Sequence, residues 1–122
     1  MYFENDFAIY EIMEGVLHIA YKSVVLKLEE VVLIVAHRLD LQEGKSMPIL
    51  CDIRAIRKID KAARVYLSIE GSVFIKALAF IDDLPVSKSL SSYYLYINGS
   101  GVPTKTFGNE KSALQFLSLF KK

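Results

Sequence analysis

One cysteine, three prolines and six glycines are all that the 122 residues hold of these types. A lone cysteine forms no intramolecular disulfide, which fits a reducing compartment. So little glycine and proline beside 52% hydrophobic residues excludes a disordered, collagen-like or low-complexity chain. Charge of one sign is missing as well. Fifteen Lys and Arg stand against fourteen Asp and Glu, a net of +1, so the basic footprint that makes nucleic acid the default partner is absent. The longest apolar run is Val31 to Ala36, far short of the roughly 20 residues a membrane span needs. The first fourteen residues carry four acids and no base, the reverse of a secretory signal. No segment repeats, and no Ser/Gly/Pro-rich linker divides the chain. The expectation is one cytoplasmic domain over residues 1–122, without a membrane span.

What is present is a change of hydrophobic period along the chain. Phe7 to Met13 alternates with period two and is rich in β-formers, Gly15 supplies a turn, and Val16 to Tyr21 reads as the returning strand of a hairpin. Leu28, Val31, Val32, Val35 and Leu39 then form one helical stripe. Glu29 and Glu30 suit its positive end, and Gly44 is placed to stop it. Met47 to Ile53 is a near-continuous apolar strand, the pattern of burial on both faces. Asp60 caps a second helix bearing Ala62, Ala63, Tyr66, Leu67 and Glu70, which Gly71 ends. Val73 to Ile81 reads as a central strand and Val86 to Ile97 as a third helix. Asn98 to Gly101 is a loop, and Pro103 precedes a short strand, Thr104 to Phe107. Asn109 caps a last helix with Ala113, Leu114, Phe116, Leu117 and Phe120. The order is β-β-α-β-α-β-α-β-α, an α/β domain with helices packed on a mixed sheet. Right-handed crossovers place the strand-to-helix loops along one sheet edge, where open α/β folds bind ligands.

This order resembles the STAS-like fold of the anti-sigma factor antagonists (SpoIIAA-like) and of the cytoplasmic domains of sulphate transporters. The best local match is Ile49 to Ala63. In the antagonists a buried strand ends in an Asp, a loop follows, and an Asp-Ser-Ser or Asp-Ser-Thr step opens a helix. The serine there is phosphorylated by a partner kinase. Asp52 and Asp60 match the two acids, but Lys61 and Ala62 stand where the hydroxyls belong. Neither supplies an oxygen nucleophile, so the chain is more similar to small uncharacterised bacterial relatives of this fold, in which the last segment is like Val102 to Phe107. The resemblance implies the fold and carries no reaction.

The strongest chemical feature is a basic run. Lys45, Arg54, Arg57, Lys58, Lys61 and Arg64 stand against Asp52 and Asp60 alone, a local excess of four positive charges. Beside the free N–H groups of a helix starting near Asp60, such a cluster can hold a phosphate or another anion; the alternative is a solvated loop paired with the acidic N-terminal strand. His18 and His37 lack a second ligand at metal spacing and read as structural, and Cys51 reads as a buried small hydrophobe. Asp82 and Asp83 end a central strand, where paired acids can bind Mg²⁺ or exchange protons, or make a turn and a helix cap. There is no Gly-x-Ser-x-Gly elbow among the serines of 87–92 and no P-loop lysine in 98–103. Tyr93, Tyr94 and Tyr96 suit core packing, an aromatic or lipid pocket, or a dimer interface. Together these observations point to a regulatory or protein-interaction module without the phospho-switch, one that needs no metal or cofactor and self-associates as a homodimer. The expected contact residues are Arg54, Arg57, Lys58, Asp60, Lys61, Arg64 and Tyr93. The alternative is a carrier of a small anionic or lipid-like ligand at the same place, and a third reading is an enzyme using Asp82 or Asp83.

Overall fold

The computed structural model describes residues 2–70, 73–82 and 102–121. In chain order the described elements are β1 (Tyr2–Glu4), β2 (Ala8–Met13), β3 (Val16–Tyr21), β4 (Val25–Leu26), α1 (Leu28–Gln42), β5 (Met47–Asp52), β6 (Lys58–Ile59), α2 (Lys61–Ile69), β7 (Ile75–Ile81), β8 (Thr104–Phe107) and α3 (Glu110–Leu117), closed by a 3₁₀ turn over Ser118–Phe120. β1, β2 and β3 form an antiparallel meander. Its second turn is Glu14 and Gly15, both at positive φ (50° and 80°), the two-residue geometry whose twist matches paired strands. β3, β5, β7 and β8 then run parallel, giving one six-stranded mixed sheet ordered β1-β2-β3-β5-β7-β8. Parallel strands put their carboxyl ends on one edge, as the crossover argument requires.

Helices cover both faces. α1 and α2 pack on the face carrying Tyr10, Leu17, Ile19, Ile49, Cys51 and Phe80. α3 packs on the face of Leu50, Ala77, Ala79 and Ile81 through Ala113 and Leu117. β5 contributes to both clusters, so its unbroken apolar run is the double-sided burial expected of it. The caps are also as expected. Asp60 Oδ1 accepts from Ala63 N at 2.8 Å, and Asn109 Oδ1 accepts from Ser112 N at 2.8 Å. At the start of α1 the Glu30 carboxylate accepts from Lys27 N at 2.7 Å. The helix ends two residues before its glycine: the cap residue Glu43 takes the left-handed conformation (φ 49°) and Gly44 continues it (φ 78°). Among the described residues no helix is long and apolar enough to cross a membrane.

Four expectations are corrected. The buried stripe of α1 is Val31, Ile34, Val35, Arg38 and Gln42, while Leu28 and Val32 are exposed. The stripe is rotated because its lower end is polar and satisfied internally. Gln42 Nε2 donates to Lys45 O (3.0 Å) and Phe74 O (2.8 Å). Arg38 Nη1 donates to Val73 O (2.9 Å) and to Gln42 Oε1. The strand expected from Val73 begins at Ile75, because Phe74 sits at φ 61° and turns the chain. Three strands were not expected: β1, and the short parallel pair β4–β6, which joins Val25 to Lys58 and Leu26 to Ile59. The basic run is not one cluster, since Lys45 precedes β5 and Arg54 follows it, at opposite edges of the sheet. The third helix expected over 86–97, the 98–101 loop, Gly71, Asp83 and the tyrosines at 93, 94 and 96 lie outside the described residues.

Candidate binding face

The β4–β6 pair sets the geometry of the loop between β5 and α2. Besides the pairing itself, Arg57 N donates to Val24 O (2.9 Å) and Asp60 N to Leu26 O (3.1 Å). The entry to α2 is thereby tied to the entry to α1, and the five bases of the segment receive different fates. Arg54 is held by Asp52 in a bidentate pair, Nε to Oδ1 at 2.9 Å and Nη2 to Oδ2 at 2.7 Å. Burial works to raise the Asp52 carboxyl, but the hydrogen bonds and charge of Arg54 outweigh it and leave the group below its ordinary value. Arg64, half-buried, turns its Nη1 onto Ile59 O at 2.8 Å. Arg57, Lys58 and Lys61 are exposed. Asp60 is half-buried, and its side chain takes the Ala63 N–H in the first turn of α2. A carboxylate thus stands where an anion at this helix end has to sit. Tyr93 lies outside the described residues.

Beside these bases runs an apolar strip absent from the sequence reading. Ala62, Val65, Tyr66 and Ile69 of α2, with Leu28 of α1, line an open groove of about 680 Å³ that has Lys61 at one end and Glu70 at the other. Ile69 is 58% exposed and Leu28 42%. The inner side of the helix is Ala63, fully buried, with Tyr66 and Leu67 partly buried against the core. α2 is therefore apolar on two sides, and period alone could not say which side faces out.

The remaining candidates resolve individually. His37 Nδ1 accepts from Asn5 Nδ2 at 2.8 Å. The direction follows from Asn5 Oδ1, which already accepts from Phe7 N and Ala8 N. His37 is thus a structural acceptor that ties α1 to the β1–β2 turn. His18, half-buried, faces Glu11 across β2–β3 and lies in a cleft of about 200 Å³ with Asp52 and Glu110. Burial holds its imidazole below the ordinary value, against the pull of Glu110 and Glu11. Among the described residues no group of three or more His, Cys, Asp or Glu has metal-binding geometry. Cys51 is buried, and burial pushes its thiol up to about 12. Asp82 is 4% exposed, and its backbone N–H donates to Phe107 O at 3.0 Å. Between the sheet and α1, a cavity of about 40 Å³ is lined by Ile34, Ile49, Cys51, Leu67 and Phe80, with Arg38 at its side. At about 10–15 Å³ per water this holds some three waters and no lipid chain.

A family model described as a domain of unknown function (DUF7793) matches residues 10–121. The chain belongs to that family. No curated protein matches the sequence. Among solved structures, this DUF7793 member is similar to an uncharacterized protein of the DUF3478 family, with a SpoIIAA-like fold, from Shewanella loihica PV-4. The two share 16% identity over 90% of this chain and 91% of the other, with a TM-score of 0.66. At that identity the likeness establishes the fold, which is SpoIIAA-like, the fold that the sequence resemblance implied.

Proposed function

We propose that residues 1–122 act as one non-catalytic, cytoplasmic interaction module whose docking face is the outer side of α2 with the loop before it. The observation that carries this reading is the open apolar strip Ala62–Val65–Ile69, with Lys61 and Glu70 at its ends and Arg57 and Lys58 exposed in the loop that leads into α2. An apolar centre with a charged rim is the anatomy of a protein-binding patch. The three bases favour a partner with acids around its own apolar contact, or a second copy of the chain. Arg54, Asp60 and Arg64 serve the face by shaping it, since each is committed to an internal bond. Two features favour this reading over an anion or lipid carrier. The carboxylate of Asp60 occupies the α2 N-terminus, and the interior cavity is too small for a lipid chain.

The test uses the full chain and two variants, Arg57→Glu with Lys61→Glu, and Ile69→Asp. A protein that the wild type retains is purified with it and the pair is measured by calorimetry, and self-association is followed by sedimentation. Each variant is expected to weaken the association at least tenfold while circular dichroism stays unchanged. The reading falls if both variants associate as the wild type does.

A further inference from the structure

We infer that the α2 strip seats the same strip of a second copy, with the two helices antiparallel about a twofold axis. The inference rests on the reading that this face docks protein, and it names the occupant. The strip places Ala62, Val65, Tyr66 and Ile69 at i, i+3, i+4 and i+7. It is symmetric about one point, midway between Val65 and Tyr66. Ala62 and Ile69 lie equally far from that point, and so do Lys61 and Glu70. An antiparallel copy therefore sets the small Ala62 against the large, exposed Ile69 of the other chain, and repeats that contact at the far end. The Val65–Tyr66 step meets its own copy at the axis. The same arrangement brings the basic end of one helix (Lys61, with Arg57 and Lys58 before it) to the Glu70 end of the other, and opposes the two helix dipoles. A parallel copy instead stacks Lys61 on Lys61 and Glu70 on Glu70. The contact is isologous, so it closes at two chains. A nine-residue helix is about 13 Å long, and its face falls short of the roughly 800 Å² per partner of a standard interface. The dimer is accordingly a weak one, formed at micromolar concentrations and above.

Cysteine cross-linking reads this geometry directly, because Cys51, the chain's own thiol, is buried. Val65→Cys is expected to cross-link to itself under mild oxidation. Ala62→Cys alone and Ile69→Cys alone are not, because seven residues of helix, about 10 Å, separate each site from its copy, beyond the roughly 7 Å Cα limit of a disulfide. An equimolar mixture of those two variants is expected to cross-link as a heterodimer. Adding Ile69→Asp to Val65→Cys should lower the yield at least tenfold, and Leu119→Cys, 77% exposed, gives the background of random collision. Self-linking of Ala62→Cys with no product from the mixture means a parallel pair and overturns the inference. So does a Val65→Cys yield no higher than that of Leu119→Cys. If the inference fails while a different protein is still lost on Ile69→Asp, the strip belongs to that protein and the docking reading stands. If Ile69→Asp changes neither kind of association, both fall.

Discussion

Replacing Gln42 by leucine tests the polar end of the α1 stripe. The side chain is 1% exposed, and its amide donates to two carbonyls, Lys45 O and Phe74 O, while its oxygen accepts from Arg38. Leucine fills similar space and makes none of these bonds. A buried carbonyl left unpaired costs about 1–3 kcal/mol, so two cost about 2–6. The apolar surface that leucine buries returns about 1 kcal/mol. Phe74 O keeps one donor, Met47 N at 3.3 Å, which moves the sum toward the lower half of the range. The expected net loss is about 2 kcal/mol. The chain has no tryptophan, so urea unfolding is best followed by far-ultraviolet circular dichroism. With a slope near 1.5 kcal/mol per molar urea, the midpoint should fall by about 1.3 M at unchanged slope. A loss under about 1 kcal/mol refutes the reasoning, because it means that water or a shifted loop satisfies both carbonyls as well as Gln42 does.

Three further outcomes follow from local geometry. Phe74→Gly removes a bulky residue from φ 61°, a conformation that costs such a side chain about 1–3 kcal/mol. The side chain is 41% exposed, so the variant should unfold at the same or higher urea concentration, and a drop of more than about 1 kcal/mol contradicts the strain argument. Asp60→Ala should cost about 1 kcal/mol and Asp60→Ser much less, both read from urea midpoints; equal losses would show that the cap is not what Asp60 contributes. Cys51 should resist a thiol reagent at pH 8 until urea unfolds the chain. Because its folded value lies near 12 and its unfolded value near 9, the unfolded state ionises first. That contribution to stability is intact below about pH 9 and fades as pH rises toward 12. Cys51→Ala should flatten this part of the stability profile, and an unchanged alkaline slope means that other groups set it.

Much of the fold was legible because its signals are local. The alternation around Gly15, the oxygen caps Asp60 and Asn109, and the unbroken run through β5 each depend on neighbours within a few residues, and each is found in place. What escaped is non-local. Arg38 and Gln42 count as polar by type, yet they are buried because their heads reach carbonyls more than 30 positions away at Val73 and Phe74. β4 and β6 are two residues each, too short to show a period, and they exist because they pair with one another. Along the chain Lys45 belongs to the basic run, but the length of β5 carries it to the other edge of the sheet. The apolar strip of α2 escaped for a related reason. Ala62 and Ala63 are adjacent, and only packing decides that one is buried and the other exposed.

The start of α2 bears on why the proposed docking role fits this chain better than covalent switching. Phosphorylation works by adding about two negative charges and new acceptor oxygens at a helix start, and it needs a hydroxyl there. The helix begins where the resemblance to the antagonists places it, directly after Asp60. Its first two residues, Lys61 and Ala62, offer an ammonium and a methyl group. The lysine supplies a fixed positive charge at the rim of the groove, and the alanine opens the apolar strip that Val65 and Ile69 continue. In the proposed antiparallel contact Ala62 faces Ile69 of the second copy, so a hydroxyl or phosphate at that position would have to be desolvated against an isoleucine side chain. Ala62→Glu should therefore abolish self-association although the site is exposed in the single chain, where a surface change of this kind costs at most about 0.5 kcal/mol of stability. Retained self-association in a folded Ala62→Glu protein would place the contact elsewhere on the molecule.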